Sequence, residues 1–119
     1  MHGVSVVEVE FHEVGSLDAI VDVVGVCAAL EVLGIDEVVC SPISVGRGEF
    51  TAAHGVLPNP APAVASLAAT YSIPLVGLDE PKELATPTGV ALMAMLAESF
   101  GPMPAGTVVS AGMGAGGRN

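Results

Sequence analysis

The sequence lacks tryptophan and has few aromatic residues of any kind. Its 119 residues include one tyrosine and three phenylalanines, although 51% of the residues are hydrophobic. The apolar positions are therefore mostly alanine, valine, leucine and isoleucine, whose small side chains fill a core only where backbones approach closely. Helices packed on a sheet provide such contacts, and the length is sufficient for one domain with a modest core.

Positive charge is equally scarce. Three lysine and arginine residues stand against thirteen aspartate and glutamate residues, which gives a formal net charge of −10. Phosphate-rich partners require a positive surface, so this balance argues against nucleic acid and against an anionic membrane as partners. The acidic excess instead favours solubility in high salt, or the attraction of cations.

Long apolar runs and cysteine pairs are also missing. Asp22 and Glu31 interrupt the longest apolar stretch, within residues 19–33, so it is too short to span a bilayer. The first ten residues have neither the basic region nor the apolar stretch of a signal peptide. Cys27 and Cys40 do not form a short metal-type pair, and we expect both to be reduced in a cytoplasmic protein.

Strand and helix patterns alternate along the chain. Apolar and polar residues alternate over 4–14, which predicts a half-buried strand, and Ser16 begins a helix that Gly34 stops. Pro58, Pro60 and Pro62 predict no regular structure in the stretch HGVLPNPAPA before the second helix. The further elements are predicted as strands at 37–45, 50–53, 73–77 and 107–111 and as helices at 61–70 and 86–101.

This order predicts one α/β or α+β domain over residues 1–119. The expected architecture is a mixed sheet of four to five strands with three helices.

Imidazole and carboxylate groups surround the first strand-to-helix turn. Asp18 and Asp22 are four residues apart and share one helix face, and His12 and Glu13 end the strand that precedes the helix. Such ligands suit a divalent transition metal. The same pattern also fits a surface histidine, a helix N-terminus that favours Asp18 and a solvated stripe at Asp22.

Two further segments carry candidate chemistry. His54 lies in a proline-rich loop, where it could be a ligand or an acid–base group, or simply a solvated histidine. Thr86, Thr88 and Gly89 place hydroxyl and amide groups at a helix N-terminus, which can bind phosphate or serve as an ordinary cap. The GMGAGG segment has the composition of a phosphate loop, but no helix follows it. No Ser- or Cys-based nucleophile triad is readable.

Five segments occur in the order found in one protein family, namely HGVSVVEVEFHEVGSLDAIVDVVG, SPISVGRG, AHGVLPNPAPA, ELATPTG and GMGAGGRN. On these motifs the chain resembles LarC-type nickel insertion proteins over nearly all of its length. The resemblance implies insertion of nickel into pyridinium-3,5-bisthiocarboxylic acid mononucleotide, which forms nickel–sulfur and nickel–carbon bonds. It implies a cyclometallase of the lyase class that makes the nickel-pincer nucleotide cofactor, with CTP and magnesium or manganese.

The resemblance also implies roles for the candidate residues. It implies that nickel, or the substrate's metal, is held by His12, Glu13, Asp18, Asp22 and His54. Thr86, Thr88 and Gly89 would hold a phosphate. The family usually has histidine where this chain has Glu10, and a carboxylate is a harder ligand than imidazole, which weakens a nickel site.

The likeness covers only the central part of the family's amino-terminal domain. It therefore implies that CTP and its metal bind a part not in this chain, and that the chain self-associates or works with missing family domains on another chain. One alternative is a non-catalytic fragment or assembly subunit that oligomerises or packs on those partners. Another is a general phosphate-binding domain that uses Thr86, Thr88 and the terminal glycines.

Overall fold

The computed structural model describes residues 17–52 and 55–114, which form three helices and six short strands. The helices are α1 (Leu17–Leu33), α2 (Pro62–Tyr71) and α3 (Pro87–Leu96). The strands are β1 (Val39–Cys40), β2 (Ile43–Val45), β3 (Glu49–Ala52), β4 (Gly55–Pro58), β5 (Leu75–Gly77) and β6 (Ser99–Phe100). The mixed α/β class with three helices is thus confirmed, while the strand predicted at 4–14 lies outside the described residues.

Within the described ranges the strands form three two-stranded units. β1 pairs with β6 and β2 pairs with β5, both in parallel, whereas β3 and β4 form an antiparallel hairpin. The chain passes through α2 between β2 and β5, as a parallel pair requires a crossover connection. The single mixed sheet expected from the sequence is therefore divided into short units in this part of the chain.

Pro42 divides the strand predicted at 37–45 into β1 and β2. Before it, the Cys40 carbonyl accepts a hydrogen bond from the Gly101 N–H at 2.9 Å; after it, the Ile43 N–H donates to the Pro74 carbonyl at 2.9 Å. Proline has no N–H to continue a ladder. The segment consequently changes its bonding partner from β6 to β5 at this residue.

The prediction of no regular structure around the three prolines is wrong for β4. The Asn59 N–H donates to the Gly48 carbonyl at 2.8 Å, and Glu49 lies opposite Pro58 in the next position of the ladder. Hydrogen-bonded and non-hydrogen-bonded pairs alternate in an antiparallel ladder. Pro58 therefore occupies a non-hydrogen-bonded position, where the ladder requires no N–H donor.

Two predictions near the C-terminal end are corrected. α3 does not run to residue 101 but ends at Leu96, because Ala97 is extended (φ −75°, ψ 124°) and the Glu98 N–H donates to the Val38 carbonyl at 2.9 Å. Pairing of β6 with β1 thus replaces the last helical turn. The strand predicted at 107–111 is irregular, since no described strand pairs with it.

The core lies where α2 and α3 pack beside β2 and β5. Val64 and Val90 are the most deeply buried side chains. The remaining buried members of the cluster are Val45, Ala61, Ala68 and Ile73. Every one is alanine, valine or isoleucine, so the core is built from small aliphatic side chains as the composition predicts.

α1 lies largely outside this core. It contacts α3, and Ala19 is its one buried residue. Gly34 ends it in a left-handed conformation (φ +63°), where its N–H donates to the Glu31 carbonyl. Although α1 is the longest helix in the described part, no described helix reaches the length and hydropathy required to cross a membrane.

Candidate functional site

The carboxylates predicted as metal ligands on α1 are both exposed. Asp18 lies in the first turn, where the helix dipole favours an anion, and Asp22 follows one turn later. Gly25, which follows on the same side of the helix, faces open space. His12, Glu13 and His54 lie outside the described residues, as does Glu10.

Within residues 17–52 and 55–114, no group of three or more His, Cys, Asp or Glu side chains is placed to hold a metal. Asp18 and Asp22 contribute two of the five predicted ligands. The metal site of His12, Glu13, Asp18, Asp22 and His54 therefore remains a prediction.

Thr86 caps α3, as the sequence predicted for this position. Its Oγ1 accepts a hydrogen bond from the Gly89 N–H at 3.2 Å, and its carbonyl accepts from the Val90 N–H at 3.0 Å. The Gly89 and Val90 N–H groups are thus bonded to Thr86, and Pro87 has no N–H. Thr88 therefore supplies the remaining amide of the first turn. A phosphate held here would rely on the Thr88 amide and the two threonine hydroxyls rather than on an open row of amides.

Two loops after neighbouring parallel strands are joined at their backbones. Residues 46–48 follow β2, and residues 78–86 follow β5 and lead into α3. The Leu78 N–H donates to the Val45 carbonyl and the Arg47 N–H to the Glu80 carbonyl, each at 2.8 Å. In α/β proteins, ligands bind beyond the carboxyl ends of parallel strands, which is where this loop junction lies.

Gly46 and Asn59 hold the junction together. Gly46 is buried, and a Cβ at that position would overlap the carbonyl oxygens of Glu80 and Lys82 and the Nδ2 of Asn59. Asn59 Nδ2 donates to the Lys82 carbonyl at 2.5 Å. The absence of a side chain at residue 46 thus allows the two loops to approach within contact distance.

The junction carries two of the three basic residues of the sequence, Arg47 and Lys82. Arg47 pairs with Asp79 through its Nε, and the two side chains are 63% and 86% exposed. An ion pair so open to solvent adds little stability. It does place a guanidinium group, which can bind a carboxylate or phosphate through two hydrogen bonds, at the carboxyl end of β2.

Sequence reasoning did not single out this junction. SPISVGRG, AHGVLPNPAPA and ELATPTG were noted as motifs, but Gly46, Asn59 and Lys82 received no role. The available signal was an asparagine between two prolines, because a proline restricts the backbone conformation of the residue before it. Its hydrogen-bond partner is 23 residues away in the sequence, so the contact could not be read from local pattern.

A wide depression of about 730 Å³ lies on another part of the surface, beside β1 and β6. Glu37, Val39 and residues 99–107 line it. Glu37 is the one carboxylate of this lining, and no candidate metal or phosphate residue contributes to it. The depression therefore lacks the convergent polar groups that usually mark a ligand site.

Comparison with known proteins gives a consistent result. The family model described as "Nickel insertion protein" matches residues 1–119. The pyridinium-3,5-bisthiocarboxylic acid mononucleotide nickel insertion protein of Staphylococcus epidermidis is 47% identical over 119 residues, which are 100% of this chain and 30% of the relative. The protein of the same name from Staphylococcus saprophyticus is 46% identical over 116 residues, which are 98% of this chain and 29% of that relative.

No solved structure shows a significant match to the chain. The chain spans about 30% of the length of the curated relatives it matches. Because the family model covers every residue and the identity exceeds 45% over nearly the whole chain, the chain belongs to the nickel insertion protein family.

Proposed function

We propose that this chain contributes to the insertion of nickel into pyridinium-3,5-bisthiocarboxylic acid mononucleotide, a step in the biosynthesis of the nickel-pincer nucleotide cofactor. The observation that carries the proposal is the family match over all 119 residues, together with the printed names of the relatives. Nickel is then a substrate of the reaction rather than a resident cofactor. The exposed acidic surface of α1 is compatible with handling such a cation.

In this proposal Asp18 and Asp22 act with His12, Glu13 and His54 in receiving nickel. Imidazole nitrogen is a good ligand for Ni²⁺, and carboxylate oxygen is a harder and weaker one. We assign the selective part of the site to the two histidines and the attraction of the cation to the carboxylates. Thr86, Thr88 and Gly89 are proposed to form the phosphate site of the mononucleotide, with Thr86 and Thr88 in contact with the phosphate and the Gly89 N–H orienting the Thr86 hydroxyl.

The complete reaction would use parts of the family protein beyond the matched segment. We propose that CTP and its magnesium or manganese ion bind there, and that the present chain corresponds to the central part of the amino-terminal domain. The assembled protein would act as a cyclometallase of the lyase class. The free thiols of Cys27 and Cys40 suit the reducing cytoplasm in which we place the reaction.

Calorimetric titration of the chain with Ni²⁺, beside Mg²⁺ as a control, tests the metal assignment. We expect nickel-selective binding that His12→Ala and Asp22→Ala weaken by more than about tenfold, since even residues that only orient metal ligands are worth 10- to 100-fold. Asp36→Ala is the matched control, because it removes an exposed aspartate outside the predicted site. Equal nickel affinity in all these variants would refute the site.

A second titration tests the phosphate assignment. Nicotinic acid mononucleotide serves as the probe because it carries a pyridinium ring, a ribose and a phosphate. We expect Thr88→Val to weaken its binding, whereas Thr70→Val, which removes a hydroxyl bonded to the Ser66 carbonyl on α2, should not. Loss of binding in both variants, or in neither, would contradict the assignment of phosphate to α3.

The alternative function is that of a non-catalytic assembly subunit. The exposed apolar side chains of α1 favour it, since a helix with so little polar surface is usually covered. In this case the chain would bind its partners and affect their assembly, but His12→Ala and Asp22→Ala would leave nickel insertion by the assembled protein unchanged.

A further inference from the structure

α1 has two opposite apolar faces. Its least exposed residues are Ala19, Val26 and Leu30, and α3 is the helix that it contacts. At 100° per residue these three positions lie within a span of about 40°. We call them the inner face, because all other residues of α1 are exposed.

A second row of apolar residues follows the opposite side of the helix. We call this row the outer stripe; it consists of Leu17, Val21, Val24, Ala28 and Val32. Its spacing of 4, 3, 4 and 4 keeps all five within a span of about 80°, centred opposite the inner face. Its four large members are between 59% and 85% exposed.

The outer stripe has the geometry of a helix-packing seam. Rows at spacings of three and four residues are those through which one helix packs into another, and these 16 residues extend over about 23 Å. Asp18 borders the stripe on one side and Glu31 borders it on the other. The complementary partner is therefore an apolar helix face with basic residues along its edges.

The relatives are long enough to supply such a partner. The matched segment is 30% of the Staphylococcus epidermidis protein, so about 70% of that protein lies outside it. We infer that a helix from this remaining part of the family polypeptide packs on the outer stripe, whether it is supplied in the same chain or by another. The inference rests on the proposed function, because the partner is the rest of a nickel insertion protein.

A second copy of the chain fits the outer stripe less well. Two copies would bring acidic borders against acidic borders, with a formal charge of −10 on each chain. Like charges beside a helix seam oppose pairing. The acidic borders thus favour a basic partner segment over self-association.

Sedimentation velocity tests the inference in the absence of nickel, nucleotide and substrate. The chain is mixed with the remainder of the Staphylococcus epidermidis protein, produced as a separate polypeptide and first shown by circular dichroism to be folded. We expect a complex that Val21→Gln and Val24→Gln weaken at least tenfold. Ala29→Gln, an exposed alanine of α1 outside the stripe, is the matched control and should bind like the unmodified chain.

The possible results separate clearly. Equal binding by Val24→Gln and Ala29→Gln, or no complex at all, overturns the inference. So does a homodimer of the unmodified chain that Val24→Gln dissociates, which would identify a second copy as the occupant. Thermal unfolding by circular dichroism confirms that each variant is folded, and the nickel titration above succeeds or fails independently of these outcomes.

Discussion

Asn59 Nδ2 donates a hydrogen bond to the carbonyl oxygen of Lys82 at 2.5 Å, 23 residues further along the chain. The backbone N–H of the same asparagine donates to the Gly48 carbonyl at 2.8 Å. One residue therefore connects the end of the β3–β4 hairpin to the loops that follow β2 and β5.

Asn59→Ala should lower the free energy of unfolding by about 0.5–1.5 kcal/mol, because the Lys82 carbonyl loses its donor. Asn59→Asp should lower it further at neutral pH, since a carboxylate oxygen would then face a carbonyl oxygen. Urea unfolding followed by circular dichroism measures both. Thr70→Val removes a local hydrogen bond within α2 and serves as the comparison. An equal loss of unfolding free energy in Thr70→Val and Asn59→Ala would show that the bond between the loops stabilises the chain no more than a local bond does.

Gly46 and Gly25 should respond to alanine in opposite directions. Gly46→Ala should destabilise the chain by about 3 kcal/mol, because its methyl group would overlap backbone atoms of Glu80 and Lys82 that cannot move independently. Gly25→Ala should stabilise it by about 0.5–1 kcal/mol, because the site in α1 is open and alanine favours helix. Melting temperatures of the two variants that shift in the same direction would contradict this account.

Thr86→Ala should cost about 1 kcal/mol, because the Gly89 N–H loses the oxygen that caps α3. Thr86→Ser retains an oxygen at the same distance along the side chain and should restore most of the stability. Urea denaturation of the two variants provides the measurement. A serine variant as unstable as the alanine variant would show that the methyl group, and not the hydroxyl, matters at this position.

The core should be sensitive to the loss of two methyl groups at Val64, which is 0% exposed between α2 and α3. We expect Val64→Ala to cost about 2 kcal/mol through lost burial and the cavity left behind. Val109→Ala makes the same chemical change at a residue that is 96% exposed, and should cost less than about 0.5 kcal/mol. Similar losses in denaturant unfolding would show that Val64 is not packed as described.

Local signals predicted the helices better than the strands. The C-terminal end of α1 follows from Gly34 and the N-terminal end of α2 from Pro62, because the backbone preferences of glycine and proline act without tertiary context. The Thr86 cap was readable for the same reason. The end of α3 was not, because residues 97–100 read as helix, and it is the distant β1 strand that draws them into an extended conformation.

The candidate site was only partly predictable. Thr86 and Gly89 interact as neighbours on one helix turn, so their relation was visible in the spacing. Gly46, Asn59 and Lys82 belong to three separate segments, and their local sequences do not indicate that these segments are in contact. Asp18 and Asp22 share a side of α1 as expected, but spacing along one helix cannot show whether His12, Glu13 and His54 join them.

The change of partner at Pro42 leaves the two parallel strand pairs of the described chain without a shared hydrogen-bond ladder. β2 contributes Val45 to the buried cluster and β5 packs on it through Leu75, whereas no residue of β1 or β6 is buried and β6 meets the cluster only through the half-buried Phe100. Without a continuous ladder across Pro42, opening of the β1–β6 pair need not disturb β2 and β5. The amides of Glu98 and Gly101 should therefore exchange with solvent through local opening, while that of Leu78 exchanges only when the core unfolds.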